Sequence, residues 1–148
     1  MRKRLLPPVF LLASIILMLG LHFLLPVARV LAFPWTLIGV VLMLGGLGLG
    51  LAGARTIRRH GTTIKPFQVS SSLVRSGVFG FSRNPIYVGM IVLVVGLALL
   101  LGSLSPFAVC IALALVLHYR FVLMEERMLA ERFGGEWLEY SSRVRRWI

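Results

Sequence analysis

Apolar runs long enough to cross a bilayer are the feature that most limits what this chain can fold into. The hydrocarbon core of a membrane is about 30 Å thick and an α-helix rises about 1.5 Å per residue, so a span needs about 20 mostly apolar residues. Four stretches meet or approach that length, at 5–25, 33–54, 85–101 and 106–124, the third being the shortest. With 58% of its 148 residues hydrophobic and 14% charged, the chain is far more apolar than a water-soluble domain. Lipid cannot satisfy backbone polar groups, which selects helices for such runs. The expected fold is therefore all-α: a single polytopic membrane domain with about four transmembrane helices in two hairpins and an interfacial helical tail. Its parts are a first hairpin at 1–54, a cytoplasmic loop at 55–84, a second hairpin at 85–124 and a cytoplasmic tail at 125–148. The charged start Arg2-Lys3-Arg4 is like that of a signal peptide. The apolar run after it is too long, however, and no small-residue cleavage site follows, so a retained span is expected.

A net charge of +11 would point to nucleic acid in a soluble protein, but here its placement gives another reason. Of the 16 Lys and Arg residues only Arg29 lies between the first two runs. The other 15 precede the first run, separate the second from the third, or follow from Arg120 onward. The positive-inside rule then puts both termini and the middle loop in the cytoplasm. Anionic headgroups, not nucleic acid, are the expected partner of this charge.

Several patterns carry little chemistry. The letters of a dinucleotide fingerprint at Gly48-Leu49-Gly50-Leu51-Ala52-Gly53 lie inside an apolar run with no strand before them. Gly46, Gly50 and Ala54 instead form a small-residue stripe that lets another helix approach, with packing inside the chain or a homodimer as its two uses. Cys110 is the lone cysteine and reads as a packing residue. His22, His60 and His118 show no ligand spacing, so no metal site is expected. Ser103 and Ser105 before Pro106 suggest a capped start for the fourth helix after a tight turn.

The acidic residues are more informative. All five, Glu125, Glu126, Glu131, Glu136 and Glu139, fall in the tail, and there is no aspartate. Adjacent carboxylates at Glu125-Glu126, where the fourth run leaves the membrane, must meet cations, either the neighbouring Arg127 and Arg132 or a ligand. In a continuous helix His118 shares a face with Glu125, and Tyr119 with Glu126. Arg120, near the end of an apolar run, either snorkels or lines a polar cavity. Gly134-Gly135 should end the emerging helix, and Trp137, Tyr140, Val144 and Trp147 then recur at helical spacing among arginines, which suits a helix at headgroup level. Before the third run, Asn84 can cap a helix with Pro85 at its first position, while Arg83 beside that N-terminus suits an anionic group.

Two clusters together resemble a known group of enzymes. Leu73-Val74-Arg75-Ser76-Gly77 with Arg83-Asn84-Pro85-Ile86-Tyr87-Val88-Gly89 makes the first. Glu125-Glu126 followed by Leu129, Phe133-Gly134, Glu136, Tyr140 and Arg143-Val144 makes the second. In this order, separated by one helical hairpin, they resemble the isoprenylcysteine carboxyl methyltransferase and phospholipid methyltransferase superfamily over residues 61–148. The resemblance implies a helical membrane enzyme with S-adenosylmethionine in a cytoplasmic pocket between the last hairpin and the tail. It implies Arg83, Asn84, Tyr87, Gly89, Glu125 and Glu126 as cofactor-binding residues. Eukaryotic isoprenylcysteine enzymes carry histidine where this chain has Asn84, and prokaryotic relatives often have asparagine, so a multi-pass protein of a prokaryotic inner membrane is expected.

That cofactor carries a sulfonium, an ammonium, a carboxylate and ribose hydroxyls, which call for carboxylates and an arginine near an apolar wall. Arg83 and Arg120 are the candidate catalytic residues, Arg120 as the group that steers an acidic acceptor. The expected activity is methyl transfer to the polar end of a lipophilic acceptor, isoprenylcysteine-like or phospholipid-like. An NADPH-dependent membrane reductase of the sterol reductase type and a non-enzymatic membrane scaffold stand as alternatives.

Overall fold

A computed structural model describes residues 6–61 and 71–148. The basic residues 2–4 and the loop segment 62–70 with Lys65 lie outside the described residues. Among the described residues six α-helices follow one another: α1 Pro7–Leu24, α2 Ile38–Arg59, α3 Pro85–Leu101, α4 Ser105–Leu117, α5 Leu123–Phe133 and α6 Gly135–Arg143. Single 3₁₀ turns at Trp35–Leu37 and Gly77–Gly80 lead into α2 and towards α3. A π turn, His118–Val122, joins α4 to α5, so that Ser105–Phe133 is one unbroken helical run of 29 residues. Among the described residues there is no strand, only a single antiparallel bridge between Arg29 and Ser103. Three helical runs, Pro7–Leu24, Trp35–Arg59 and Ser105–Phe133, are long and apolar enough to cross a membrane, and α3 is an apolar helix of 17 residues packed among them. The protein is an integral membrane protein.

Element boundaries depart from the expected ones where charge does not break a helix. The second helix runs on past Ala54 to Arg59, because Arg58 and Arg59 in its last turn complement the negative end of the helix dipole. Thr56 also bonds back to the Ala52 carbonyl at 2.9 Å. The tail likewise begins inside a helix, since nothing interrupts the backbone between the π turn and Phe133. Gly134, at φ +49°, ends that helix as the sequence suggests. Ser105 is the first residue of α4 and makes no cap bond. Ser103 instead receives or donates a hydrogen bond at 2.7 Å with His22 Nδ1, tying the end of α1 to the α3–α4 turn.

The core is formed by Met18 of α1, Val94, Leu97 and Ala98 of α3, and Val109, Cys110, Leu113 and Leu117 of α4, continued by Phe121 and Val122 of the π turn. Cys110 is buried in it as a packing residue. The outward faces of α1 and α2 expose Ile16, Val41 and Leu44, as a lipid-facing surface requires. The close contacts of α1 run to α4 and α3, and those of α2 run along α3.

The α2–α3 seam is built on glycine. A Cβ added at Gly46 would lie 2.6 Å from the Gly89 carbonyl oxygen, and one at Gly96 would lie 2.6 Å from that of Gly39. At Gly89 it would lie 2.6 Å from the Gly46 carbonyl and 2.8 Å from the Gly50 nitrogen. The pairs 39 with 96 and 46 with 89 run in opposite directions along the two helices, which are therefore antiparallel. Gly39, Gly46 and Gly53 recur every seven residues, the repeat of two helices crossing at a small angle, not every four as in the stripe read from the sequence. Gly46 and the backbone at Gly50 are thus taken up by α3 of the same chain. We expect Gly46→Ala to force the helices apart and destabilise the protein by about 1–3 kcal/mol, as overpacked cores do. Gly48→Ala, whose new Cβ would touch nothing within 4 Å, should be neutral; thermal unfolding in detergent separates the two.

Candidate active site

The residues just before α3, the start of α5 and the C-terminal segment converge on one carboxylate. Glu126 lies 11% exposed at its side chain, where an ionised group demands partners. Arg146 supplies Nε at 2.9 Å and Nη2 at 2.8 Å to the same oxygen, while Arg83 Nη1 reaches the other oxygen at 3.5 Å. Asn84 Nδ2 donates to that second oxygen at 3.4 Å. The neighbouring Glu125 takes a different partner, accepting a 2.6 Å hydrogen bond from the Tyr87 hydroxyl one turn into α3. Glu126 thus reaches beyond its own helix, pairing across to Arg83 and Arg146.

Asn84 precedes Pro85 at the start of α3, as its pattern suggests, but its side chain does not cap the helix. It turns instead to Glu126 and to the Arg146 carbonyl oxygen, 3.1 Å away. The C-terminal segment is strapped down along its backbone, with the Arg83 N–H donating to the Arg145 carbonyl at 3.0 Å. Val144 has left the helix for an extended conformation, so Trp147 is not in register with Trp137 and Tyr140 on one helical face.

Trp137 and Tyr140 face inward, not towards headgroups. Both are buried, and the Arg83 guanidinium lies 5.4 Å from the centre of the Trp137 ring. The Tyr140 hydroxyl donates to the Phe79 carbonyl at 2.7 Å. Arg75 pairs with Glu136 and lies 3.8 Å from Glu139, which also holds Arg143 at 2.9 Å. Helix α6 is thereby clamped onto the 75–83 segment that carries Arg83. Burial pushes the Tyr140 phenol up to about 12, against the pull of the Arg83 and Arg75 guanidinium groups.

Of the sequence-derived candidates, Arg83, Asn84, Tyr87, Glu125 and Glu126 come together. Gly89 faces α2, where its lack of a side chain serves packing. Arg120 is exposed on the π turn and meets no carboxylate among the described residues. That turn also undoes the expected phase: Tyr119 is 68% exposed while Glu126 is buried. Arg146 was not separable from Arg143 and Arg145 by spacing, because the segment carrying it is extended.

Beside the ionic cluster lies an open apolar groove of about 450 Å³. Val88, Ile91 and Val92 of α3, Ala114 and Leu115 of α4, and Trp147 line it together with His118. Arg146, bound to Glu126, and Trp147, in the groove wall, are consecutive, so the two regions share a partition.

The fold and this site define a small integral membrane protein whose polar centre is closed by its own C-terminal segment. The family model described as phospholipid methyltransferase matches residues 34–136, well over half of the chain. The chain belongs to that family. It is 34% identical over 74 residues to the protein-S-isoprenylcysteine O-methyltransferase of Saccharomyces cerevisiae, covering 49% of this chain and 30% of that one. A solved structure of the eukaryotic intramembrane Ras methyltransferase, isoprenylcysteine carboxyl methyltransferase, has the same fold, with a TM-score of 0.69 at 24% identity over 93% of this chain and 50% of the other. The chain thus spans half or less of the length of both.

Tyr140→Phe should leave the buried Phe79 carbonyl without its donor and cost about 1–3 kcal/mol. Because folding raises the phenol from 10 to about 12, its contribution is complete below pH 10 and is lost as pH rises towards 12. The stability difference between wild type and variant, followed by unfolding from pH 8 to 12, should shrink over that interval.

Proposed function

We propose that the protein transfers a methyl group from S-adenosylmethionine to the polar end of a lipophilic acceptor. The observation that carries this reading is the buried ionic cluster set against an apolar groove, with Arg146 and Trp147 as the partition between them. The family description supports a phospholipid acceptor, and the name of the yeast relative, with that of the solved structure, an isoprenylcysteine carboxylate. Both have an apolar chain and a polar end.

The residues present fit the cofactor. Arg83 Nε is a buried donor without a hydrogen-bond partner, suited to a carboxylate or a ribose hydroxyl. Glu125, its direction held by the Tyr87 hydroxyl, suits an ammonium or sulfonium. When bound, the cofactor supplies an electrophilic methyl on a cationic sulfur. Arg83 is held for its task by Glu126 on one side and the Trp137 ring on the other, and Tyr87 fixes the direction of Glu125. The strapped segment 144–148 covers the cluster and keeps water from it. A carboxylate acceptor arrives ionised and needs positioning alone, whereas an amine would also have to give up a proton. Arg120, exposed at the π turn, would steer an acidic headgroup towards the site. The distribution of basic residues supports a cytoplasmic location for the cluster and both termini, and Asn84, where prokaryotic relatives often carry asparagine, supports a place in a prokaryotic inner membrane.

Calorimetry on detergent-purified protein tests the reading with S-adenosylhomocysteine and NADPH as probes. Saturable binding of S-adenosylhomocysteine alone is expected. Glu126→Ala, which releases both Arg83 and Arg146, should weaken it roughly 10- to 100-fold, the loss of a hydrogen bond to a charged group. Binding of NADPH alone, or of neither by folded protein, would overturn the proposal.

A further inference from the structure

The ionic cluster leaves one buried polar group unexplained, and it belongs to a residue that lines the groove. His118 Nδ1 is buried with no hydrogen-bond partner. The other two histidines use the same atom, His22 towards Ser103 Oγ at 2.7 Å and His60 towards the Thr56 carbonyl at 2.9 Å. A buried polar atom without a partner costs free energy in every folded molecule, so its persistence asks for a reason. Among the groove-lining side chains, only His118 can accept a hydrogen bond, the others being aliphatic apart from Trp147, whose indole only donates.

The backbone and the neighbouring rings set this position. His118 opens the π turn, a rare irregularity that concentrates at functional sites. Its ring centre lies 5.9 Å from that of Trp147, tilted by 34°, and 4.9 Å from that of Tyr119 at 80°. Aromatic contact thus holds the imidazole while Nδ1 stays unpaired. Trp147 follows Arg146, which is fixed to Glu126, so His118 stands on the groove side of the same partition that bounds the ionic cluster.

We propose that His118 is a specificity-determining residue whose ring turns over in the groove, so that Nδ1 hydrogen-bonds to the polar end of an acceptor whose apolar chain occupies it. This rests on the methyltransferase reading above and adds to it the residue that selects a headgroup. The imidazole can donate to a carboxylate or accept from an amide or ammonium, according to its tautomer. An acceptor with a bare hydrocarbon end would leave Nδ1 unpaired and is discriminated against.

Steady-state methyl transfer from S-adenosylmethionine is measured in detergent micelles, with N-acetyl-S-farnesylcysteine and dioleoylphosphatidylethanolamine as acceptor probes. Wild type, His118→Phe and His118→Gln are compared, and S-adenosylhomocysteine affinity is read by calorimetry for each. Phenylalanine keeps the aromatic contact with Trp147 and removes the nitrogen; glutamine can still hydrogen-bond. The acceptor KM should rise about tenfold in His118→Phe, equivalent to one hydrogen bond to a charged partner. The kcat and the S-adenosylhomocysteine affinity should stay near wild type, and His118→Gln should recover most of the KM. The same split on either probe supports the proposal, and the probe that shows it identifies the headgroup. An unchanged KM in His118→Phe, a loss confined to S-adenosylhomocysteine affinity, or a wild type that binds S-adenosylhomocysteine yet methylates neither probe overturns it alone. A folded wild type that binds no S-adenosylhomocysteine overturns the methyltransferase reading, and this proposal with it.

Discussion

A carboxylate buried at the end of a membrane helix cannot be left alone, and Glu126 organises the structure around that demand. Removing one partner from a buried ion pair typically costs about 3–5 kcal/mol, because a charge is then stranded away from water. Glu126 recruits Arg83 from the loop before α3 and Arg146 from the end of the chain, two residues far apart in sequence. Once these are engaged, Asn84 is drawn away from capping α3 and the last residues are pulled out of helical conformation to lie over the site. The clamp of α6 through Arg75, Glu136 and Glu139 is a second tether on the same loop. Arg83 is thus positioned from both sides, with its Nε still unspent.

That arrangement works only if the start of α3 is fixed in space, which is the task of the glycine seam. Lipid offers little hydrophobic drive for helix association, so close backbone approach and van der Waals contact must supply it. Gly46 against Gly89 and Gly39 against Gly96 bring α2 and α3 within reach of each other's backbones. Gly89 lies two residues beyond Tyr87, so the turn that presents Tyr87 to Glu125 is pinned from behind by α2.

Much of this was legible in the sequence, and what was not has identifiable physical causes. Length and hydropathy located the apolar helices, since bilayer thickness leaves few alternatives. The Arg83 and Glu125-Glu126 clusters stood out because charge beside apolar runs needs a partner. Sequence could not choose the partner: Arg127 and Arg132 are near in the chain, whereas Arg146 is brought in by tertiary folding. Nor could it read the π turn, which has no residue signature at His118–Val122, or the extended end after Arg143, which makes the helical spacing of Trp147 from Trp137 and Tyr140 a coincidence. The seven-residue glycine repeat was present throughout, masked by a four-residue stripe that shares Gly46.

The π turn is what lets a single helix serve two environments. In an uninterrupted α-helix, residues seven apart share a face, so His118 and Tyr119 would stack above Glu125 and Glu126 on one polar strip. Adding a residue to the turn rotates everything after it by about 100°, one step of a helix with about 3.6 residues per turn. Tyr119 is then exposed while Glu126 is buried towards Arg83, and His118 meets Trp147 in the groove. The consecutive Arg146 and Trp147 span the two faces, one side chain on each. Polar cluster and apolar groove are therefore neighbours joined by one short segment, the arrangement that the proposed reaction between a charged donor and the polar end of a lipophilic molecule needs.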